Sequence, residues 1–327
     1  MKKLCLRVMR TLLFILVPLL LVIWLVIAQP SFQSNSRSQH SVAPEELRQH
    51  VKYLAEDCFP RNFLNHDKLE KSVLYIAAEF AESGGVVEIQ PFMVKGHEYK
   101  NVSVIFGEGK GDTLIVGAHY DSFESTPGAD DNASGVAGLI ELAKMIGGSD
   151  LAKHNIELVA YCLEEPPYFG THHMGSFAHA SAINVQERGV KGVIILEMIG
   201  YFDDAWMSQD YPLPLLYLMY PKRGDFITVV GEFGQREFTK KVKLGMKGST
   251  DLPVYSINAP TAVPGIDFSD HRNYWHFHHH AVMITDTAFY RNKQYHKAGD
   301  NVELLDYKKM SDVVVAVFAS IEKLLAE

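Results

Sequence analysis

The chain has 327 residues, 47% hydrophobic and 21% charged, a globular composition that excludes bulk disorder. Its net charge is −8; the first thirty residues carry Lys2, Lys3, Arg7 and Arg10 and no acid, so the remainder sits at −12, which argues against nucleic acid as a partner. Three cysteines are too few for a disulfide framework; Cys58 and Cys162 either pair or stay free.

Residues 1–10 form a basic stretch, and 11–28 are nearly continuous apolar sequence. About 18 apolar residues nearly span a bilayer and exceed the usual core of a cleaved signal. The stretch therefore reads as one N-terminal transmembrane anchor, although Val26-Ile27-Ala28 leaves cleavage and secretion open. Basic residues ahead of it place the N-terminus in the cytoplasm and the rest on the extracytoplasmic side, periplasmic or extracellular. Residues 29–42 are polar and rich in Ser and Gln, which predicts a flexible tether.

Residues 43–327 are long enough for one large core. Helical spacing of Leu47, Val51 and Leu54 predicts a helix over 43–55, with Pro44 in its first turn, and a second helix spans 69–82. Strands are expected at 86–94, 101–107, 113–118, 156–163, 190–199 and 281–285, with helices at 134–146 and 306–325. Continuous apolar strands alternating with helices predict an α/β fold, a mainly parallel mixed sheet covered by helices on both faces. Residues 201–275 fit the alternation poorly and are expected to form an irregular insertion near the active site.

The polar residues then fall in one place. His119 and Asp121 follow the strand 113–118, Glu164 and Glu165 follow 156–163, and Glu197 ends the apolar part of 190–199. In an open parallel sheet, ligands bind outside the carboxyl ends of the strands, so these groups gather on one rim. A metal-bound imidazole commonly donates its other N–H to a carboxylate, a role open to Asp121. Asp131, ahead of the helix 134–146, reads either as a capping residue or as a carboxylate able to bridge two cations. Of the adjacent acids Glu164 and Glu165, a hydrolase needs one on a metal and one to take a proton from water. His296 lies in a loop after the strand 281–285. The run His278-His279-His280 reads as structural or surface.

At His119-Tyr120-Asp121-Ser122, Ala129-Asp130-Asp131-Asn132-Ala133-Ser134-Gly135, Glu164-Glu165 and Tyr295-His296, the chain resembles the secreted and membrane-bound zinc aminopeptidases. That family includes bacterial leucine aminopeptidases, glutamate carboxypeptidases and glutaminyl cyclases, and the similarity spans about residues 45–325. The resemblance implies a three-layer zinc-exopeptidase fold and two Zn2+ ions, one being possible. Asp131 would bridge them, His119 and Glu197 would complete one, and Glu165 and His296 the other. Glu164 would be the general base, and Asp121 would orient His119. Ser269-Asp270-His271 resembles the segment beside the substrate pocket, making Asp270 and His271 pocket candidates. The position of Glu197 is often Asp in this family, and Asn301 stands where Thr is common. The implied activity is removal of N-terminal residues from peptides with a free amine. A glutaminyl-peptide cyclotransferase with one zinc, a carboxypeptidase and a non-catalytic ectodomain are the alternatives.

Overall fold

The computed structural model describes residues 2–326, with side chains from Phe14 onward apart from Ile15. Eight strands form one sheet in the order β1–β2–β4–β3–β5–β8–β6–β7. They are β1 Val86–Val94, β2 His97–Phe106, β3 Thr113–His119, β4 Ile156–Tyr161, β5 Val190–Leu196, β6 Ile227–Gly231, β7 Val254–Asn258 and β8 Ala281–Thr285. The central strands β4, β3, β5 and β8 run parallel. β1 and β2 add an antiparallel edge, and β6 pairs antiparallel with β8 but parallel with β7. The sheet is thus mixed, with parallel pairings in the majority.

Both faces are covered. β3 is buried at every position, and its side chains alternate between two cores. Leu114, Val116 and Ala118 join the larger core with helices α2 (Pro44–Lys52), α3 (His66–Glu82), α4 (Gly135–Gly147), α6 (Arg236–Met246) and α8 (Tyr307–Ala326). Ile115 joins a smaller core with Ala180 and Ile183 of α5 (Gly175–Val185) and Tyr274 of α7 (His271–His276). Burial of α8 is continuous from Val313 to Ile321 because α2, α4 and α6 all pack against it. Gly117 of β3 is required by close approach, since a Cβ there would sit 2.2 Å from the Tyr161 ring.

Several boundaries differ from expectation. β4 stops at Tyr161 and β5 at Leu196, so Glu164 and Glu197 lie in the loops beyond them. The largest correction concerns residues 201–275, which are no insertion. They supply β6, α6 and β7, the far edge of the sheet. Two five-residue strands are too short to show a period against the Pro, Gly and aromatic residues around them. The stretch before β6 is irregular, with a 3₁₀ turn at Pro214–Leu218, and so are residues 259–270 between β7 and α7.

The N-terminal region also differs. The first helix, α1, spans Lys2–Ile27 and so includes the basic stretch. Among the described residues no helix is long and apolar enough to cross a membrane; the expected span over 11–28 lies partly on side chains outside the described set. The expected flexible tether is instead a docked strap. Asn35 and Ser38 donate backbone N–H groups to the carbonyls of Lys247 and Ser249. Asn258 donates to the Gln29 side chain at 2.9 Å, and the buried Lys243 ammonium donates to the Ala28 and Gln29 carbonyls. Polar composition predicted mobility, but these groups find fixed partners on α6 and β7. Cys58 and Cys162 are both buried and free.

Candidate metal centre

The parallel strands deliver their carboxyl ends to one rim, and the chemistry sits there. His119, the last residue of β3, is fully buried, and Asp131, Glu164, Glu165 and Glu197 around it are buried. His119 Nε2 lies 3.3 Å from Asp131 Oδ1, 3.4 Å from Glu197 Oε2 and 3.9 Å from Glu164 Oε2. The other oxygen of Asp131 faces His296, whose Nε2 is 3.2 Å from Asp131 Oδ2 and 3.2 Å from Glu165 Oε2. Two ligand sets result, His119–Asp131–Glu197 and Asp131–Glu165–His296, with Asp131 common to both. Glu164 belongs to neither set and is left over beside them.

These atoms fit cations better than each other. Neither His119 Nε2 nor His296 Nε2 makes a hydrogen bond, despite the carboxylates around them, and Glu165 Oε1 is likewise orphaned and buried. A buried polar atom without a partner is costly, and a cation at the centre of each set would satisfy all of them. The mixed imidazole and carboxylate donor set suits zinc. Charge agrees: four buried carboxylates face two imidazoles, an excess that two divalent ions would cancel. Burial, compounded by Glu197, Glu165 and Asp270, pushes the Glu164 carboxyl well up despite the nearby His119 ring. Burial also raises Glu165, with help from Asp131 and against His296, to about 8. Asp131 goes the other way, because the two imidazoles outweigh its burial.

The surrounding chain holds this geometry through the backbone. Asp121 was expected to orient His119 with its carboxylate. Its main-chain carbonyl lies 3.1 Å from His119 Nδ1 and its nearer carboxylate oxygen 3.5 Å from the same atom, so both face the ring. The carboxylate also accepts the backbone N–H groups of Glu164 and Glu165, each at 3.1 Å. It therefore sets the loop that carries both acids. Asp300 treats the other loop alike, accepting the N–H groups of Asp130 at 2.9 Å and Asp131 at 3.1 Å. Asn132 ties that turn to Glu197, since its side chain donates to the Leu196 carbonyl and accepts the N–H of Met198. Gly128 begins the turn at φ 57°, where a Cβ would meet the Asp131 carbonyl at 2.2 Å. Ser269 donates to Glu197 at 2.7 Å, and His296 is sandwiched between the rings of Phe123 and Tyr295.

Arg61 was missed in the sequence. It is fully buried and donates to the carbonyls of Tyr120 at 2.7 Å, Gly128 at 2.6 Å and Leu54 at 3.3 Å, and to that of Pro127. One guanidinium thus spaces the loop after His119 from the loop before Asp131, and its charge faces Asp131, Asp121 and Asp300. No local pattern marks it; its value comes from contacts distant in sequence.

An apolar cavity of about 790 Å³, counting its open mouth, adjoins the centre, with Glu197 and Tyr295 on its wall. Asp270 and His271 do not line it. Both are fully buried behind it; Asp270 faces Glu197 and His119, and His271 pairs with the Ile266 carbonyl at 2.8 Å. Their neighbour Phe268 reaches the cavity instead.

Residues 101–321 match Peptidase family M28. The chain belongs to that family. It is 46% identical over 312 residues to the uncharacterized protein YfbL of Escherichia coli strain K12, covering 93% of this chain and 95% of YfbL. It is 24% identical over 237 residues to leucine aminopeptidase 1 of Uncinocarpus reesii, covering 68% of this chain and 54% of that protein. Among solved structures, the Legionella pneumophila LapA aminopeptidase superposes with a TM-score of 0.70 at 19% identity, over 88% of this chain and 73% of LapA. A Bacteroides thetaiotaomicron glutaminyl cyclase superposes at 0.65 and 18% identity, over 86% of this chain and 98% of the cyclase. The fold is thus shared with proteins named as an aminopeptidase and as a glutaminyl cyclase.

Proposed function

We propose that this M28 peptidase is a two-zinc aminopeptidase. The observation that carries the reading is the division of labour around Asp131: each of its oxygens faces one imidazole, each imidazole has one further carboxylate, and Glu164 remains unassigned. Zinc, when bound, acidifies water from a pKa of 15.7 to about 7 and polarises a carbonyl. His119 and Glu197 would hold one ion, Glu165 and His296 the other. Glu164 takes the proton from the attacking water and returns it to the leaving amine. Asp121 keeps Glu164 and Glu165 at their separation through the two backbone N–H hydrogen bonds it accepts. The acidic rim favours a substrate with a protonated amine at its N-terminus.

The complete second ligand set favours this reading over a one-zinc glutaminyl cyclase. The test is a metal count on the purified chain, paired with digestion of free, N-blocked and glutaminyl peptides. Two zincs with cleavage of free N-termini are expected. One zinc with cyclisation and no hydrolysis would overturn the assignment.

We also propose that residues 11–28 anchor the chain with the catalytic domain outside the cytoplasm. The support is the sequence pattern, an apolar stretch preceded by four basic residues. Protease added to intact spheroplasts should degrade the domain; full protection would refute the orientation.

A further inference from the structure

The apolar cavity is far longer than the side chain of an ordinary amino acid. Its floor crosses four neighbouring strands in one row: Glu197 just beyond β5, Met283 and Thr285 of β8, Thr228 and Val230 of β6, and Ile257 of β7. Register places them side by side, since Thr228 pairs with Thr285, Val230 with Met283, and Val230 with Ile257. Three interstrand steps of about 4.8 Å give a run of about 14 Å from the ligand Glu197 to Ile257. A leucine side chain stops far short of that. About ten carbon–carbon bonds, each advancing slightly less than its 1.5 Å length, are needed to cover it.

The walls suit such a chain. Tyr211, Leu216 and Tyr220 line the cavity together with the strand residues. At the far end Leu216 and Tyr220 form an apolar cluster with Ala28, against which Trp24, Tyr255 and Ile257 pack. The cavity is thus lined at one side by the ligand Glu197 and at the other by Leu216, Tyr220 and Ile257 of that cluster.

We propose that the cavity takes a long unbranched apolar chain attached next to the scissile amide, so that the preferred substrate is an amide of an α-amino acid with an alkyl side chain of about eight to ten carbons. This rests on the metal centre acting as a peptidase centre. The same chain could also arrive as the acyl group of an N-acyl amide, which lacks a free amine.

The test uses the zinc-loaded full chain and two sets of chromogenic anilides, one of straight-chain α-amino acids and one of simple fatty acids, with chains of two to fourteen carbons. In the amino acid set kcat/KM should rise about fourfold per methylene until the cavity is full, then level off. Ile257→Trp, checked by thermal melt for folding, should lower the long-to-short ratio of kcat/KM at least tenfold. A rise confined to the fatty acid set would overturn the amino acid assignment and point to an acyl amidase. Values that are flat or falling beyond four carbons in both sets would refute the long-chain cavity, and this can be read from the wild-type protein alone. If short members are still cleaved in that case and Glu164→Gln abolishes the cleavage, the aminopeptidase reading survives. Absence of cleavage throughout would remove both.

Discussion

Replacing Asp121 with Asn tests the claim that this carboxylate works through two backbone amides. In the wild type each oxygen accepts one N–H at 3.1 Å, from Glu164 and from Glu165. Asn has one oxygen and one NH₂. One amide bond survives without its charge; the other becomes a donor facing a donor in a site where Asp121 is 1% exposed. A hydrogen bond to a charged group contributes about 1.5–3 kcal/mol, so the net loss is about 2–3 kcal/mol. Spread over the positions of the general base and a metal ligand, that loss corresponds to a fall in kcat/KM of about 30- to 150-fold. Activity on a chromogenic amino acid anilide, measured with zinc in excess, gives the number. Zinc titration should show weaker binding at one site, that of Glu165 and His296, with the site of His119 little changed. Activity within threefold of wild type would refute the role, because the side chain would then be a bystander to the loop it grips.

Glu164→Gln should cut kcat by at least about a hundredfold while both zincs remain bound, whereas Glu165→Ala and His296→Ala should each lower the metal count; metal analysis beside single-turnover kinetics separates the two behaviours. Arg61→Met leaves buried carbonyls unpaired and removes a cation facing Asp131, Asp121 and Asp300, and should cost about 3–5 kcal/mol of stability, read by urea denaturation. The Glu157 carboxyl is buried, which raises its pKa, but His179 and the Arg188 guanidinium outweigh this and hold it down to about 2. Because that value lies below the unfolded one, the pair stabilises the fold above about pH 4.5 and the contribution, about 3 kcal/mol, drains away as pH falls toward 2. Glu157→Gln should flatten stability across that window, and an unchanged pH profile would contradict the pairing.

The ligands were legible in the sequence because they are anomalies. Acids at the end of an apolar strand, as at Glu164-Glu165 and Glu197, have no structural reason to be there unless something positive joins them. The strands through β5 were equally visible, because each central strand is buried on both faces and reads as an unbroken apolar run, but α5 between β4 and β5 was not expected. What the sequence hid falls into two kinds. Arg61, Asp300 and Asn132 act on backbone groups far away in the chain, so no spacing announces them. β6 is recruited by pairing with β8, a partner met only later in the chain, and β7 by pairing with β6. Their five residues carry too little periodicity to be told from the loops around them. Asp270 and His271 failed as pocket residues for a simpler reason: sequence places a residue beside a site, but only packing decides which neighbour faces the void.

The docked strap has a mechanical consequence. A free segment of ten residues would let the domain swing through a radius of about 17 Å by random-coil scaling. Residues 29–38 offer no such slack, because their amides and side chains are fastened along α6 and β7. Whatever grips α1 therefore sets the heading of the cleft like a rudder post, and substrates must come to the opening rather than be swept up by it.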